Sequence, residues 1–171
     1  KHDVEKNGEV VAEFKVIDGY GKTLSALKAF PTTQHFNAGK DSPCVEYQFA
    51  VDKCGIYELE LYMQPSNPVT TDNVLYYGLQ VNDKEVELIN TIPEGQKVGD
   101  LGHQWAAGVL DNIRRHSTKI SCNSGLNTIK LHAISPGFVL EKIVIYPEGK
   151  EPAASYLGPP ETYYVGRRAD N

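Results

Sequence analysis

The side chains best suited to chemistry in this sequence are aromatic residues beside two long segments rich in Gly, Pro and Asn. These segments cover residues 64–73 and 94–107, and the aromatic residues that border them are Tyr62, Tyr76, Tyr77 and Trp105. Aromatic rings combine a large apolar face with, in Tyr and Trp, a polar handle, which suits them to stacking on a sugar ring. These residues could therefore form a carbohydrate-binding platform. The interpretation that we favour is a core Trp with cross-strand Tyr pairs.

Asp111 and Asn112 are polar residues that adjoin the second of these long segments. A carboxylate beside an amide could bind a cation or orient a sugar hydroxyl. Asp and Asn also cap turns through their own side chains, and capping is the interpretation we favour. Both residues are kept as candidate ligand-binding positions together with the four aromatic residues.

Patterns typical of a catalytic centre are not found in the sequence. There is no Gly-x-Ser-x-Gly nucleophile turn, and the five histidines show no His-x-x-x-His spacing for zinc. The acidic residues Glu46, Glu58 and Glu60 alternate outward on predicted strands, which is typical of a solvated face, and His132 is likewise expected at the surface. We predict no catalytic residue, metal site or cofactor in this chain.

Composition argues against two classes of partner. The chain has 171 residues and a formal charge of −5, whereas nucleic-acid-binding domains usually carry a basic stripe. No run of 18 apolar residues occurs, so no membrane span is predicted. The opening residues, KHDVEKNGEV, are typical of the middle of a longer chain.

Strand patterns recur along the sequence. Val45–Val51 and Tyr57–Met63 alternate apolar and polar residues, and the turn between them predicts a β-hairpin with a four-residue loop. Further strands are predicted at residues 75–81, 85–89, 126–134 and 138–146. Seven or eight antiparallel strands separated by turns indicate an all-β sandwich.

Four other segments carry weaker signals. Glu9–Lys15 is predicted as an edge strand, and Thr23–Phe30 as a short helical turn. Val109–Ser121 favours a long strand, with a helical turn over 109–115 as the alternative. The chain is predicted to form one domain over residues 1–171, with a core of about 9–147 and an extended tail over 148–171.

The three cysteines do not form an obvious disulfide. A strand between Cys44 and Cys54 would hold them about 23 Å apart, whereas a disulfide needs Cα atoms within about 7 Å. Cys54 and Cys122 each precede a Gly turn and could meet. We expect all three thiols to be free.

Four segments, in order along the chain, resemble glycoside hydrolase family 115. Ser135–Thr162 resembles the closing stretch of the family, a Val-Leu-x-Lys-Ile-Val-Ile strand followed by Ser-Tyr-Leu-Gly-Pro-Pro-Glu. Pro43–Leu61 is similar to its paired strands, Trp105–Asn112 to its Trp-x-x-x-Val-x-Asp-Asn segment, and Gly19–Phe30 to its Gly-x-Gly segment. The likeness extends over roughly residues 15–162.

This resemblance implies a non-catalytic function. The family's enzymes are xylan α-1,2-glucuronidases whose catalytic carboxylates lie in larger upstream domains, so no catalytic residue transfers to this chain. Its C-terminal module is an antiparallel β-sandwich of the jelly-roll, galactose-binding-like type, similar in build to carbohydrate-binding module families 6 and 35. The implied location is periplasmic or secreted, in a bacterium.

The leading hypothesis is a non-catalytic accessory module that supports packing or dimerisation of a parent hydrolase. Its partners would be the catalytic domains of the parent chain and a second copy in a homodimer. The alternative is a carbohydrate-binding module for xylan or glucuronoxylan oligosaccharides. A third interpretation, a stand-alone hydrolase, requires a carboxylate pair that the sequence does not reveal.

Overall fold

A computed structural model shows two antiparallel β-sheets packed face to face. It describes residues 1–96, 103–153 and 155–162, and of residues 103–105 only the backbone. Ten strands and one helix follow each other along these residues: β1 (Val4–Lys6), β2 (Glu9–Asp18), β3 (Ser25–Phe30), β4 (Cys44–Val51), β5 (Gly55–Met63), β6 (Tyr76–Val81), β7 (Glu87–Asn90), α1 (His103–Asp111), β8 (Arg114–Cys122), β9 (Gly125–Ala133) and β10 (Val139–Pro147).

The two sheets form the predicted sandwich. One sheet has six strands in the order β1-β2-β3-β10-β5-β8, and the other has four in the order β4-β9-β6-β7. Alternate residues of each strand point inward, because successive side chains leave opposite faces of a strand. The inward residues with no exposed surface include Phe14, Leu59, Leu61, Tyr77 and Leu131. The predicted all-β antiparallel sandwich is confirmed.

The predicted hairpin between β4 and β5 is wrong. β4 pairs with β9 in the four-stranded sheet, whereas β5 pairs with β8 and β10 in the other sheet. The short turn between them therefore crosses from one sheet to the other. Val45 and Leu59 are both buried because the two strands face the same core from opposite sides. Apolar alternation predicts which residues are buried, but it does not reveal which strand is the neighbour.

The segments with weaker signals differ from the predictions. Residues 25–30 form β3, paired with β2, although Ala, Leu and Lys favour helices. β2 itself is not an edge strand, since β1 and β3 flank it on both sides. The long strand predicted over Val109–Ser121 begins only at Arg114, and residues 109–111 end the helix α1.

The C-terminal residues lie on the outer face of the six-stranded sheet. Lys142 Nζ donates hydrogen bonds to the backbone carbonyls of Leu157 at 3.1 Å and Pro159 at 2.6 Å. Gly158 lies against Tyr62, and a Cβ added to it would come within 2.8 Å of the Tyr62 ring. Residues 155–159 therefore form a strap across β10 and β5. Of the tail predicted over residues 148–171, residue 154 and residues 163–171 lie outside the described residues.

Two further features of the described residues bear on the predictions. Cys44 and Cys122 are buried, Cys54 is exposed, and all three thiols are free. None of the helical residues in the described part of the chain forms a segment long and apolar enough to cross a membrane.

Candidate functional site

The helix α1 ends in a cap built by Asn112. Asn112 has a φ of 53° in the left-handed region, where Asn is tolerated better than most residues. Its N–H donates to Val109 O at 3.2 Å, and Ile113 N–H donates to Gly108 O at 3.1 Å. This pair of bonds is a Schellman motif. Asn112 thus caps a helix, in line with the favoured interpretation of its sequence position.

The helix cap places Asp111 against a lysine from the loop between β2 and β3. Lys22 Nζ lies 2.7 Å from Asp111 Oδ1, and the Lys22 side chain is only 6% exposed. The same ammonium lies 3.7 Å from the centroid of the Tyr156 ring, within cation–π distance. Asp111 and Tyr156 therefore surround a nearly buried charge. Three distant segments, the β2–β3 loop, α1 and the C-terminal strap, meet at this lysine.

A second set of polar contacts fixes the β2–β3 loop. Glu141, on a bulge of β10, accepts hydrogen bonds from the Thr23 N–H at 3.2 Å and from the Gln64 side chain. Gly21 has a φ of 77°, and a Cβ at this position would lie 2.5 Å from the Glu141 carboxyl. This turn favours glycine, because the backbone angle is left-handed and an added Cβ would force the Glu141 and Gln64 side chains to move.

Exposed apolar side chains occur within two residues, along the chain, of Lys22 and of its partners Asp111 and Tyr156. They are Tyr20, Leu24, Leu110, Tyr156 itself and Leu157. We call these five side chains the Lys22 patch. Leu24 has a φ of 67°, which is a strained conformation for a bulky residue, and its side chain is well exposed. Strain of this kind is concentrated at functional sites.

The candidate aromatic platform is not assembled. Tyr77 points into the core, where its ring stacks on Phe138 at a centroid distance of 5.3 Å, and burial raises its pKa to about 12. Tyr62 and Tyr76 lie on the outer faces of different sheets. Tyr62 lies between the inward residues Leu61 and Met63 of β5, and Tyr76 precedes the inward Tyr77 of β6. Sheets pack about 10 Å apart, so these rings cannot share one ligand surface. The Trp105 side chain lies outside the described residues.

Tyr62 is covered by charged residues and by the strap. Arg115 lies 5.2 Å from the centre of the Tyr62 ring and binds Glu60 through Nε at 2.8 Å and Nη2 at 3.0 Å. Arg115 Nη2 also reaches Glu151 at 2.8 Å. The hydrogen bonds with Glu60 raise the pKa of Arg115, while burial raises the pKa of Tyr62. Tyr62 therefore belongs to a second small core and presents no free face to a ligand.

His132 is buried, contrary to the prediction of a surface residue. Its Nδ1 lies 2.9 Å from Ser42 Oγ, and its Nε2 has no hydrogen-bond partner among the described residues. Burial, together with nearby Lys130 and His2, lowers the pKa of His132. The loop before β4 covers this outward position of β9, which alternation along the strand does not reveal.

Patterns in the sequence do not identify Lys22 or Tyr156 as site residues. Lys22 is 89 residues from its partner Asp111 and belongs to a Gly-rich loop, where neither strand nor helix periodicity applies. Tyr156 lies in a segment without regular structure. The one available signal is the pair Gly19 and Gly21, which predicts a tight loop beside Lys22.

The sequence matches the glycosyl hydrolase family 115 C-terminal domain over residues 1–161. The chain therefore belongs to this family of domains, as the resemblance of its segments implied. None of the curated proteins matches the sequence significantly.

Solved structures with the same fold include enzymes and binding modules. A family 115 4-O-methyl-α-glucuronidase with specificity for decorated arabinogalactans matches with a TM-score of 0.60 and 18% identity. The match covers 78% of this chain and 16% of that enzyme, so the chain spans about a sixth of its length. A family 35 carbohydrate-binding module from Clostridium thermocellum has a TM-score of 0.52 and 15% identity, over 77% of this chain and 86% of the module. A β-(1,4)-mannanase with such a module, from Podospora anserina, has a TM-score of 0.51 and 11% identity over 90% of this chain and 28% of the enzyme.

Proposed function

We propose that this chain is the non-catalytic C-terminal accessory domain of an α-glucuronidase of family 115, and that it packs against the rest of the enzyme through the Lys22 patch. The observation that carries the proposal is an exposed apolar surface held in place by a nearly buried ion pair. The substrate class of the parent, a glucuronic-acid-substituted polysaccharide such as xylan, and its extracellular or periplasmic location belong to the same proposal.

The construction of the Lys22 patch supports docking to a protein. A nearly buried lysine requires compensation, and here Asp111 and the Tyr156 ring supply it within the domain. The charge is therefore satisfied before any partner arrives, which leaves an apolar rim around a rigid centre. Groups of exposed apolar side chains on a protein surface often mark sites of interaction with another protein.

Leu110 is the best reporter of such docking, because its side chain is 86% exposed. Replacing it with glutamine changes little inside the isolated domain, since the site faces solvent and Gln has good helix propensity. In the whole hydrolase, Leu110→Gln would lose a buried leucine contact, which is worth about 1.5–3 kcal/mol. The free energy of domain unfolding, measured for both proteins in urea, gives this difference.

Leu126→Gln is the matched control, because Leu126 is 66% exposed at the start of β9, away from the Lys22 patch. We expect equal effects of this control in the isolated chain and in the whole hydrolase. Equal effects of Leu110→Gln in both proteins would contradict the docking proposal. Gel filtration of the whole hydrolase shows whether the partner surface belongs to the same chain or to a second copy in a homodimer.

Carbohydrate binding is the second candidate function, and the position of Tyr156 favours it. One face of the exposed Tyr156 ring is held by Lys22, so the ring is oriented and the opposite face is available. Asp111, whose side chain is half-exposed, lies on the same lysine and could accept hydrogen bonds from sugar hydroxyls. The two similar structures that contain family 35 carbohydrate-binding modules support this candidate at the level of the fold.

Calorimetry with xylan and glucuronoxylan oligosaccharides distinguishes the two functions. Sugar binding at Tyr156 predicts heat that Tyr156→Ala removes and that Tyr20→Ala, a change at the other exposed tyrosine of the Lys22 patch, preserves. Asp111→Asn should weaken binding through loss of the charge. If millimolar oligosaccharide gives no heat with the unaltered chain, the second candidate is wrong.

A further inference from the structure

The sandwich core is open at one corner of the six-stranded sheet. β3 pairs with β10 only through the residues Leu27 and Lys28, opposite Leu140 and Val139. On its other side β10 continues to pair with β5 as far as Pro147. Because β3 begins at Ser25, no described strand flanks the last residues of β10 on the β3 side. Residues 143–147 therefore present a free strand edge.

Beneath this edge lies a cavity of about 830 Å³. Inward-facing apolar residues from both sheets line it, among them Val16, Leu27, Tyr47, Ile143 and Ile145. Other inward positions, such as Phe14 and Leu61, are fully buried, whereas Val16 is 55% exposed. The core is thus incomplete at this corner, although the residues around it are of core type.

The outer rim of the cavity is formed by the C-terminal segment. Pro159, Pro160 and Thr162 border the opening, and Lys142 holds the segment through the Pro159 carbonyl. Proline has no N–H to donate, so two adjacent prolines do not pair as a strand with β10. The segment borders the corner without completing the sheet.

From these observations we propose that the open corner binds an extended polypeptide segment, which adds to the free edge of β10 as a further strand. Such strand addition uses backbone hydrogen bonds for affinity and side-chain pockets for specificity. Residues 143–147 would span about 17 Å of strand. Aliphatic side chains at alternate positions of the segment would enter the cavity between Val16, Tyr47 and Ile145.

A saccharide fits this corner less well than a peptide. Sugars are recognised by flat aromatic faces and many polar side chains, whereas Val, Leu, Ile and Pro make up half of this lining and Tyr47 and Tyr146 are its aromatic residues. A free strand edge offers alternating donors and acceptors that match another strand. This inference rests on the proposed function for the source of the segment, which is the part of the hydrolase outside this domain. The matched part is 16% of the solved family 115 enzyme, so most of an enzyme of that size lies outside this domain and could supply the segment.

Hydrogen exchange of the β10 amides tests the inference in two proteins, the isolated chain and the whole hydrolase. Pro147 has no N–H, so the amides that can be compared are those of residues 143–146. Alternate ones face β5 and should be protected in both proteins, which provides an internal reference. The other amides should exchange at least about tenfold more slowly in the whole hydrolase, since a new hydrogen bond must open first. Protection already present in the isolated chain would show that residues of this chain fill the corner, and would overturn the inference.

A matched pair of variants assigns the protection to the corner. Val16→Glu in the whole hydrolase places a charge in the cavity and should remove the added protection. Val69→Glu is the control. Val69 lies in the loop before β6 and is 64% exposed, compared with 55% for Val16, and its replacement should leave the added protection of the β10 amides unchanged. Equal protection in the Val16→Glu and unaltered proteins would overturn the inference.

A synthetic octapeptide of alternating valine and threonine tests the corner without the hydrolase. Added to the isolated chain, it should protect the free β10 amides, whereas a version with proline at its centre should not. If the alternating peptide does not protect these amides, the proposal of strand addition is wrong. Docking through the Lys22 patch is unaffected by that result, because Leu110→Gln tests it separately. Protection by xylo-oligosaccharide and not by peptide would show a sugar site and overturn the inference.

Discussion

The contact between Gly158 and Tyr62 allows the strap to be tested quantitatively. Gly158 has a φ of 85°, and a Cβ there would lie 2.8 Å from the Tyr62 ring and 3.0 Å from its hydroxyl. Gly158→Ala therefore combines backbone strain with a collision. Gly149→Ala is the matched control, since Gly149 has a φ of 73° and no atom within 4 Å of an added Cβ.

The magnitudes follow from these two environments. A left-handed conformation costs a residue with a Cβ about 1–2 kcal/mol. The loss of glycine's freedom in the unfolded chain returns about 0.4–1 kcal/mol. Gly149→Ala should therefore destabilise the chain by about 1 kcal/mol. Gly158→Ala adds an overpacking cost of about 1–3 kcal/mol, which gives a total of about 2–4 kcal/mol.

Urea denaturation followed by circular dichroism measures both free energies of unfolding. Limited proteolysis gives a second readout, because the collision is also relieved if the strap detaches and becomes accessible to protease. We expect faster cleavage within residues 155–159 in Gly158→Ala than in Gly149→Ala. Equal stability and equal cleavage in the two variants would refute the account of the strap as a packed element.

Three further predictions concern the core, the buried histidine and Lys22. Leu59→Ala should cost about 2–5 kcal/mol in urea denaturation, since Leu59 has no exposed surface; a cost below 1 kcal/mol would contradict its core position. Because burial lowers the pKa of His132, the unfolded chain binds a proton more readily than the folded one. Stability should then fall as pH decreases below about 6.5, by up to about 1.4 kcal/mol per pH unit for this group, and His132→Asn should reduce the slope. Burial also lowers the pKa of His116, so this residue should account for the pH dependence of stability that remains in the His132→Asn variant. Lys22→Met should free the strap and increase cleavage near Tyr156, whereas Lys150→Met should not.

The strands could largely be predicted from the sequence, but their neighbours could not. The alternation in β5 correctly predicts its inward residues, and Tyr77 could have been assigned to the core in the same way, since it alternates with Leu79 and Val81. The pairing of β4 with β9 depends on contacts between residues far apart in sequence. Local periodicity carries no information about those contacts.

The candidate site was predictable only in part. The residue type of Asn112 favours a cap, but the sequence does not predict the helix that it ends, because a helical turn over 109–115 is only the alternative to a strand. The burial of Tyr62 does not follow, because it lies on an outward position that is covered by Arg115 and by the strap. Lys22 and Tyr156 meet because three distant segments converge, and long-range convergence leaves no periodic signal in the chain.

The central claim is that the Lys22 patch is a docking surface within a larger hydrolase. Hydroxyl-radical footprinting of Leu110 and Tyr156, in the isolated chain and in the whole hydrolase, tests it most directly, with Leu126 as the internal reference. The account predicts strong labelling of both residues in the isolated chain and a marked decrease in the whole hydrolase, with Leu126 unchanged. Equal labelling of Leu110 and Tyr156 in the two proteins would contradict it.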